Sequence, residues 1–470
     1  MGPKRIPVPQ AVWDSTRTYP QIVILIEYSD TTFSMTDPQA YYDSVLNVPG
    51  FNKGAGPGCA AEYLEAQSGG LMHVRFDVFG PYRINQKAKQ WTGPANYGHT
   101  VKVEALDSLY AAHPTMDYTV YDWDGDNTIE QAIYVCAGPS GSEGHSACVW
   151  PNTSDYPQFK KTPDSLSIRM HSITAEGTYS SRTHSGPSGF GTLMHEFSHA
   201  LGLPDVYPTD GNNASTIYSV ADGWDLMDGG DIIAYGWCPP NYTAAERMLM
   251  HWLTPVELDT DTMITGMLPL ADGGEAYLIR HTANEYLLLE NRQQTGWDHG
   301  IPGRGLTIWH VDYNAESWRE NEVNNESDLG LSLYYADNLT YKEWQRRVTS
   351  EDAYTLNPRM RSRWLSTAAY PWSTDSTSWV NDGLTETSTP ALVMHHPNGQ
   401  GSTSLGKRIT NIQMAVDGSI SFTLETEGTA TGMATDTGDR APLTRKVIRD
   451  GRLLIERGEQ TYTITGQEIK

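Results

Sequence analysis

Leu193-Met194-His195-Glu196-Phe197-Ser198-His199-Ala200-Leu201-Gly202, followed at once by Leu203-Pro204-Asp205, is the stretch that decides how this chain reads. Leu193, Met194, Phe197, Ala200 and Leu201 recur at intervals of three and four, which predicts one helix with a buried apolar stripe. His195 and His199 are four apart, so both imidazoles leave the same side of that helix about one turn from each other. Two neutral imidazoles so placed can grip one divalent ion, and zinc is the usual occupant. Glu196, beside the first of them, is placed to take a proton from water activated at the metal. Gly202 can adopt the left-handed conformation that ends a helix, and Pro204 prevents the helix from resuming. The turn could carry Asp205 back as a third ligand, leaving the fourth position open to water. The bland alternative is a buried helix carrying two hydrogen-bonded histidines. It is disfavoured because polar groups on such a helix need partners, which a metal supplies.

Working outward, Gly223-Trp224-Asp225-Leu226-Met227-Asp228-Gly229-Gly230 sets a methionine among turn residues. Alone, Met227 is ordinary core filler. Downstream of Asp205 it is similar to the methionine turn that floors the metal in metzincins. Together, "HEFSHALGLPDVY" (His195 to Tyr207) and "GWDLMDGG" resemble the immune inhibitor A family of secreted bacterial metallopeptidases. The resemblance extends to "YPQIVILIEYSD" (Tyr19 to Asp30), Ala60 to Tyr82, Tyr118 to Gly138 and Leu287 to Asp312. It implies aspartate as third zinc ligand, matching Asp205, and cleavage of protein or peptide substrates outside a bacterial cell or at its surface. Family members begin with a signal peptide and a propeptide, and neither is visible here. Because the likeness starts almost at once, the expectation is a trimmed form. Cys59 where serine is common, and Trp150-Pro151-Asn152 in place of Trp-Pro-His, are further departures.

The chain has 470 residues, enough to bury more than one core. With 33 basic against 57 acidic residues, nucleic acid and anionic membrane are excluded as expected partners. No apolar stretch is long enough to span a bilayer. Four scattered cysteines make no disulfide scaffold; Cys136 and Cys148 could pair, but the strand-like setting of Cys136 favours a buried thiol. Oligomeric state and cleavage preference are not encoded in any legible pattern.

The expected fold class is α+β: a metzincin-like catalytic domain over 1–257, then an antiparallel β-sandwich over 258–426. In the first, Ile22–Ile26 reads as a buried strand, Met72–Val78 as a half-buried strand near the sheet edge, His99–Ala112 as a backing helix and Ile129–Val135 as a strand. A helix between Tyr242 and Leu253 closes that domain. In the second, Tyr277–Arg280, Leu306–Val311 and Ile420-Phe422-Leu424 alternate as sandwich strands do. A linker follows over 427–443 and a tail over 444–470, where Asp450-Gly451 suggests a hairpin. The tail resembles the sorting tails of proteins exported by a type nine Gram-negative system; an added sandwich hairpin is its other reading.

Asp122, Asp124 and Asp126 with Glu130 form a dense carboxylate turn that suits structural calcium, although Asn127 and Ile133 rule out an EF-hand. Glu246 is the rival third zinc ligand. Tyr207 and Tyr242 are candidate oxyanion donors, with core roles favoured for both. His310 and Asp312 could bind a second ion, but hydrogen bonding within the sandwich is favoured. The function expected is zinc-dependent endopeptidase. The alternative is a catalytically silent, zinc-stabilised surface or glycan-binding protein.

Overall fold

The computed structural model describes residues 5–9, 12–53, 56–89, 98–145, 147–155, 161–177, 179–180, 185–210, 219–340, 365–373, 380–426, 444–449, 452–457, 460–463 and 468–469. The fold is α+β, and the chain divides into two compact units, Met1–Thr426 and Glu427–Lys470. The linker expected over 427–443 and the Asp450-Gly451 turn lie outside the described residues.

The first unit begins with β1 (Thr18–Glu27), α1 (Pro38–Asn47), α2 (Ala60–Gln67), β2 (His73–Arg83), α3 (His99–Ala112), β3 (Thr128–Cys136), β4 (Asn152–Asp155), β5 (Ser167–Ala175) and α4 (Gly191–Leu201). The strands form one sheet in the order β2-β1-β3-β5-β4. All neighbours are parallel except β4, which runs antiparallel to β5 at one edge. An interior parallel strand is covered on both faces, which explains the unbroken apolar run of β1. Val23 and Leu25 enter one core with α1, α2 and α4; Ile22, Ile24 and Ile26 enter the other with Val101, Ala105, Leu106 and Leu109 of α3. β1 thus cements two helix layers, by the two-residue alternation of its side chains.

A second sheet orders its strands Leu331–Leu333, Gly305–Asp312, Glu285–Arg292, Tyr277–Arg280 and Val256–Glu257. A third has Lys407–Met414, Ile420–Thr426 and Thr262–Met267. Alternation again splits the second sheet. Ile279, Leu287, Leu289 and Ile308 pack with Ile409, Ile420, Phe422 and Leu424 of the third, while Leu278, Leu288, Trp309 and Val311 share the core that holds α4. The sheet is a wall common to both cores. Arg292 fixes it to the methionine segment: its guanidinium makes paired contacts of 2.7 Å with Asp298 and donates to Trp224 O at 3.3 Å. Such two-pronged contact gives a buried ion pair directional strength.

The closing helix is shorter than expected, Ala244–Leu249, because Met250 and His251 leave helical geometry, His251 at φ +58°. All four cysteines are free and buried, so Cys136 and Cys148 do not pair. The second unit is a four-stranded antiparallel sheet of Thr444–Arg449, Arg452–Arg457, Gln460–Thr463 and Glu468–Ile469 in sequence order. Among the described residues, no helix is long and apolar enough to cross a membrane.

Candidate metal centre

Helix α4 ends where glycine permits it. Gly202 has φ +112°, its N–H returns to His199 O and Ser198 O, and a Cβ there would lie 2.5 Å from Pro9 Cγ. Leu203 N–H closes the turn on Ser198 O at 3.1 Å, and the chain reverses to bring Asp205 under the helix. His195, His199 and Asp205 are buried, and one ligand atom from each lies within 4.8 Å of the others.

The geometry suits a shared cation. Asp205 Oδ1 is 3.1 Å from His195 Nε2 and 3.4 Å from His199 Nε2. Ligand atoms about 2.0–2.2 Å from a tetrahedral ion stand about 3.3–3.6 Å apart, close to these separations. His195 Nδ1 donates to Leu226 O at 2.9 Å and His199 Nδ1 to Leu203 O at 2.8 Å. A carbonyl can only accept, so each Nδ1 carries the proton and each Nε2 is directed inward, the arrangement by which such tethers aim metal-binding histidines. His199 Nε2 is wholly buried and makes no hydrogen bond, the kind of orphan that a cation would satisfy.

Electrostatics agree. Burial alone would lower the His195 pKa, but the hydrogen-bonded Asp205 carboxylate, helped by Glu196 and Asp231, raises it to about 10. Burial likewise would raise Asp205, yet the two imidazoles hold its carboxyl well below its ordinary value. Without a cation, a proton on His195 offsets the buried carboxylate.

Glu196 sits between helix and sheet. Thr153 of the edge strand β4 donates its hydroxyl to Glu196 Oε2 at 2.7 Å, and its Oγ lies 2.8 Å from Glu196 O. Ser172 Oγ also donates to Glu196 O at 3.1 Å. Asn152, the departure noted above, is buried and accepts from Lys102 Nζ at 3.2 Å; burial lowers that ammonium to about 7.

Met227 is buried in the core shared with α4, its N–H bound to Asp225 Oδ1 and its carbonyl to Val206 N–H. Its segment thus holds both the Leu226 carbonyl on His195 and the chain just past Asp205. Tyr207 lies half-buried with its ring parallel to that of His195, centroids 6.5 Å apart. Tyr242 is fully buried against Ser198 Oγ, in the core. Glu246 is not grouped with the two histidines; its Oε2 accepts from Thr243 N–H, the reciprocal half of a capping box.

Asn321 had no sequence signal. Its Oδ1 accepts from Asp205 N–H and its Nδ2 donates to Asp205 Oδ2, both at 2.6 Å, fixing the carboxylate from 116 residues downstream. Of the acidic turn, Asp122, Asp124 and Glu130 come within 4.8 Å of one another, and Asp126 is not in that group. Asp122 already accepts from the N–H groups of Gly125, Asp126 and Asn127. His310 and Asp312 join Glu285, His395 and His396 in a separate cluster.

No protein-family model matches the sequence. The chain is 24% identical over 254 residues to the "Pre-pro-metalloprotease PrtV" of Vibrio cholerae serotype O1, in strains M66-2 and ATCC 39315 / El Tor Inaba N16961. The match covers 48% of this chain and 26% of the relative, so the chain spans about a quarter of the length of these curated relatives. The similarity is distant, and it is to a metalloprotease.

Proposed function

We propose that this chain is a zinc-dependent endopeptidase of the immune inhibitor A type, metzincin-like in its catalytic half, that acts outside the bacterial cell. The single observation that carries the reading is the convergence of His195 Nε2, His199 Nε2 and Asp205 Oδ1, with Glu196 next in sequence to His195 and acting on it electrostatically. The distant metalloprotease similarity supports it.

His195, His199 and Asp205 would hold the ion, with Leu226 O, Leu203 O and Asn321 keeping their donor atoms aimed. When bound, zinc supplies Lewis acidity, polarising the scissile carbonyl and acidifying water. Glu196 takes up the proton released as water attacks that carbonyl and returns it to the leaving amine nitrogen. Thr153 donates to Glu196 Oε2 and so holds the carboxylate, leaving Oε1 as the oxygen that takes the proton. Peptides and proteins are the substrates.

On this reading residues 1–257 are the catalytic domain. The two sheets packed about one core support a β-sandwich over 258–426, and 444–470 is an export tail. Asp122, Asp124 and Glu130 hold structural calcium, with Asp126 outside the ligand set. The deciding experiment is cleavage of casein by the full chain and its Glu196→Gln variant, with zinc measured in both. The expected result is zinc retained and cleavage lost. Cleavage at the parent rate would overturn the assignment.

A further inference from the structure

The strands Glu285–Arg292 and Gly305–Asp312 pair antiparallel with Glu285 opposite Asp312 and Leu287 opposite His310. Residues two apart on a strand share a face, so Glu285, His310 and Asp312 stand together at the rim of the core that Leu287 enters. His395 and His396, following the buried Met394, close over them.

The contacts converge. Glu285 Oε1 faces His310 Nε2 at 2.8 Å and accepts from His395 N–H, while Oε2 accepts from His396 N–H at 3.1 Å. Asp312 Oδ2 lies 3.0 Å from His395 Nδ1 and 2.9 Å from His396 Nε2. The His310 and His395 rings are 4.4 Å apart between centroids, and His310 stacks on Tyr334. One ligand atom each from Glu285, His310 and His395 falls within 4.8 Å of the other two. Glu285 and His310 are buried. Asp312 and His396 open onto a cleft of about 610 Å³ that is also lined by Glu322, Glu326 and Asp328, an acidic approach for a cation.

Ordinary ion pairing accounts poorly for this set. Neutral imidazoles can each donate one N–H to the carboxylate they face, but that leaves the charges of Glu285 and Asp312 unbalanced, and placing positive charge on both rings would set like charges in van der Waals contact, which repel. A single divalent ion instead accepts neutral imidazoles and balances both carboxylates.

We propose that Glu285, His310 and His395 hold a second zinc-class divalent ion, with the Asp312 carboxylate beside His395, and that this ion fastens the segment beyond Met394 to the second sheet. The ligands come from two paired strands and the segment laid over them, so the ion's role is structural. His396, largely exposed, stays outside as a hydrogen-bond partner of Asp312. Nothing in this inference depends on the catalytic reading.

The test strips the full chain with a chelator, returns zinc alone, and counts bound zinc by mass spectrometry after gel filtration. Three chains are compared: the parent, the double variant His195→Gln/His199→Gln, and His395→Gln. The parent is expected to hold two ions and each variant one. Added zinc should raise the Tm of the double variant. In that double variant cobalt should give the visible absorption of a tetrahedral site, a readout that stands even if His395→Gln fails to fold. A parent that holds one ion, kept by His395→Gln and lost by the double variant, overturns the second site and leaves the catalytic one untouched. A double variant that takes up zinc only at millimolar concentration overturns it equally.

Discussion

At the helix-borne cluster both histidines tie the nitrogen facing away from Asp205 to main-chain carbonyls, Leu226 O and Leu203 O. At the strand-borne cluster His395 instead spends Nδ1 on the Asp312 carboxylate. A carbonyl tether sets the tautomer and adds no charge, whereas a carboxylate tether raises ligand basicity and itself competes for the ion. The first arrangement leaves charge to be balanced by the metal and one proton, as an open, reactive site needs. The second gathers two carboxylates about its histidines, enough charge to balance a divalent ion without a proton. Position differs as well, since His199 and Asp205 are wholly buried while the His395 side chain is 20% exposed.

The largest expected effect belongs to the first cluster alone. Glu196→Gln should lower kcat by about 100- to 10,000-fold, the usual worth of a general base, with both clusters still loading zinc. A loss of zinc alongside activity would move Glu196 into the ligand shell and blur the distinction drawn here.

Next is Asn321→Ala, which removes the two 2.6 Å bonds that orient Asp205. Outer-shell partners of this kind are worth about 10- to 100-fold in metal affinity. Chelator competition should show that drop at the helix-borne cluster only. Equal weakening at both would mean that the 313–330 loop, rather than the carboxamide, supports them.

A smaller effect separates the clusters by pH. With the His195 pKa raised to about 10, zinc must displace a proton throughout the neutral range. Affinity at the first cluster should therefore rise about tenfold per pH unit, with one proton released on binding. Calorimetry in buffers of different ionisation enthalpy measures that proton directly.

The smallest concerns the acidic turn. Burial, with Asp124 and Asp122 adding to it, raises Glu130 to about 7 despite the Trp123 backbone N–H that its two oxygens share. A carboxyl with a raised folded pKa stabilises the fold below its unfolded value, and that stability is lost as pH rises from about 4.5 towards 7. Denaturant midpoints should fall over that window in the parent and stay level in Glu130→Gln. Calcium should restore the parent alone, and failure to do so would remove the turn from the list of cation sites.

The helix-borne cluster was readable because its information is local. Five apolar positions fixed the helix, a four-residue spacing fixed two imidazoles, and Gly202 with Pro204 explained the return of Asp205. Backbone donors and distant partners leave no such trace. Leu226 and Leu203 act through carbonyls that any residue carries, and Asn321 reaches Asp205 across 116 residues. Thr153 sits on a four-residue strand too short to betray its role. Glu246 shows the converse, a candidate ligand on a later helix that the fold does not bring into the group formed by His195, His199 and Asp205. His310 and Asp312 were visible as a pair, but their company with Glu285 and His395 depends on strand register and on a loop more than eighty residues further along.

The wall formed by Glu285–Arg292 and Gly305–Asp312 has a practical corollary. Anyone trimming the protein after residue 257 to isolate the proposed catalytic half would strip Leu288, Trp309 and Val311 from the core that holds the helix of His195 and His199. Even Trp309→Ala in the intact chain should cost about 3–5 kcal/mol. The excised front half should precipitate, and its partner must be expressed with it as one piece.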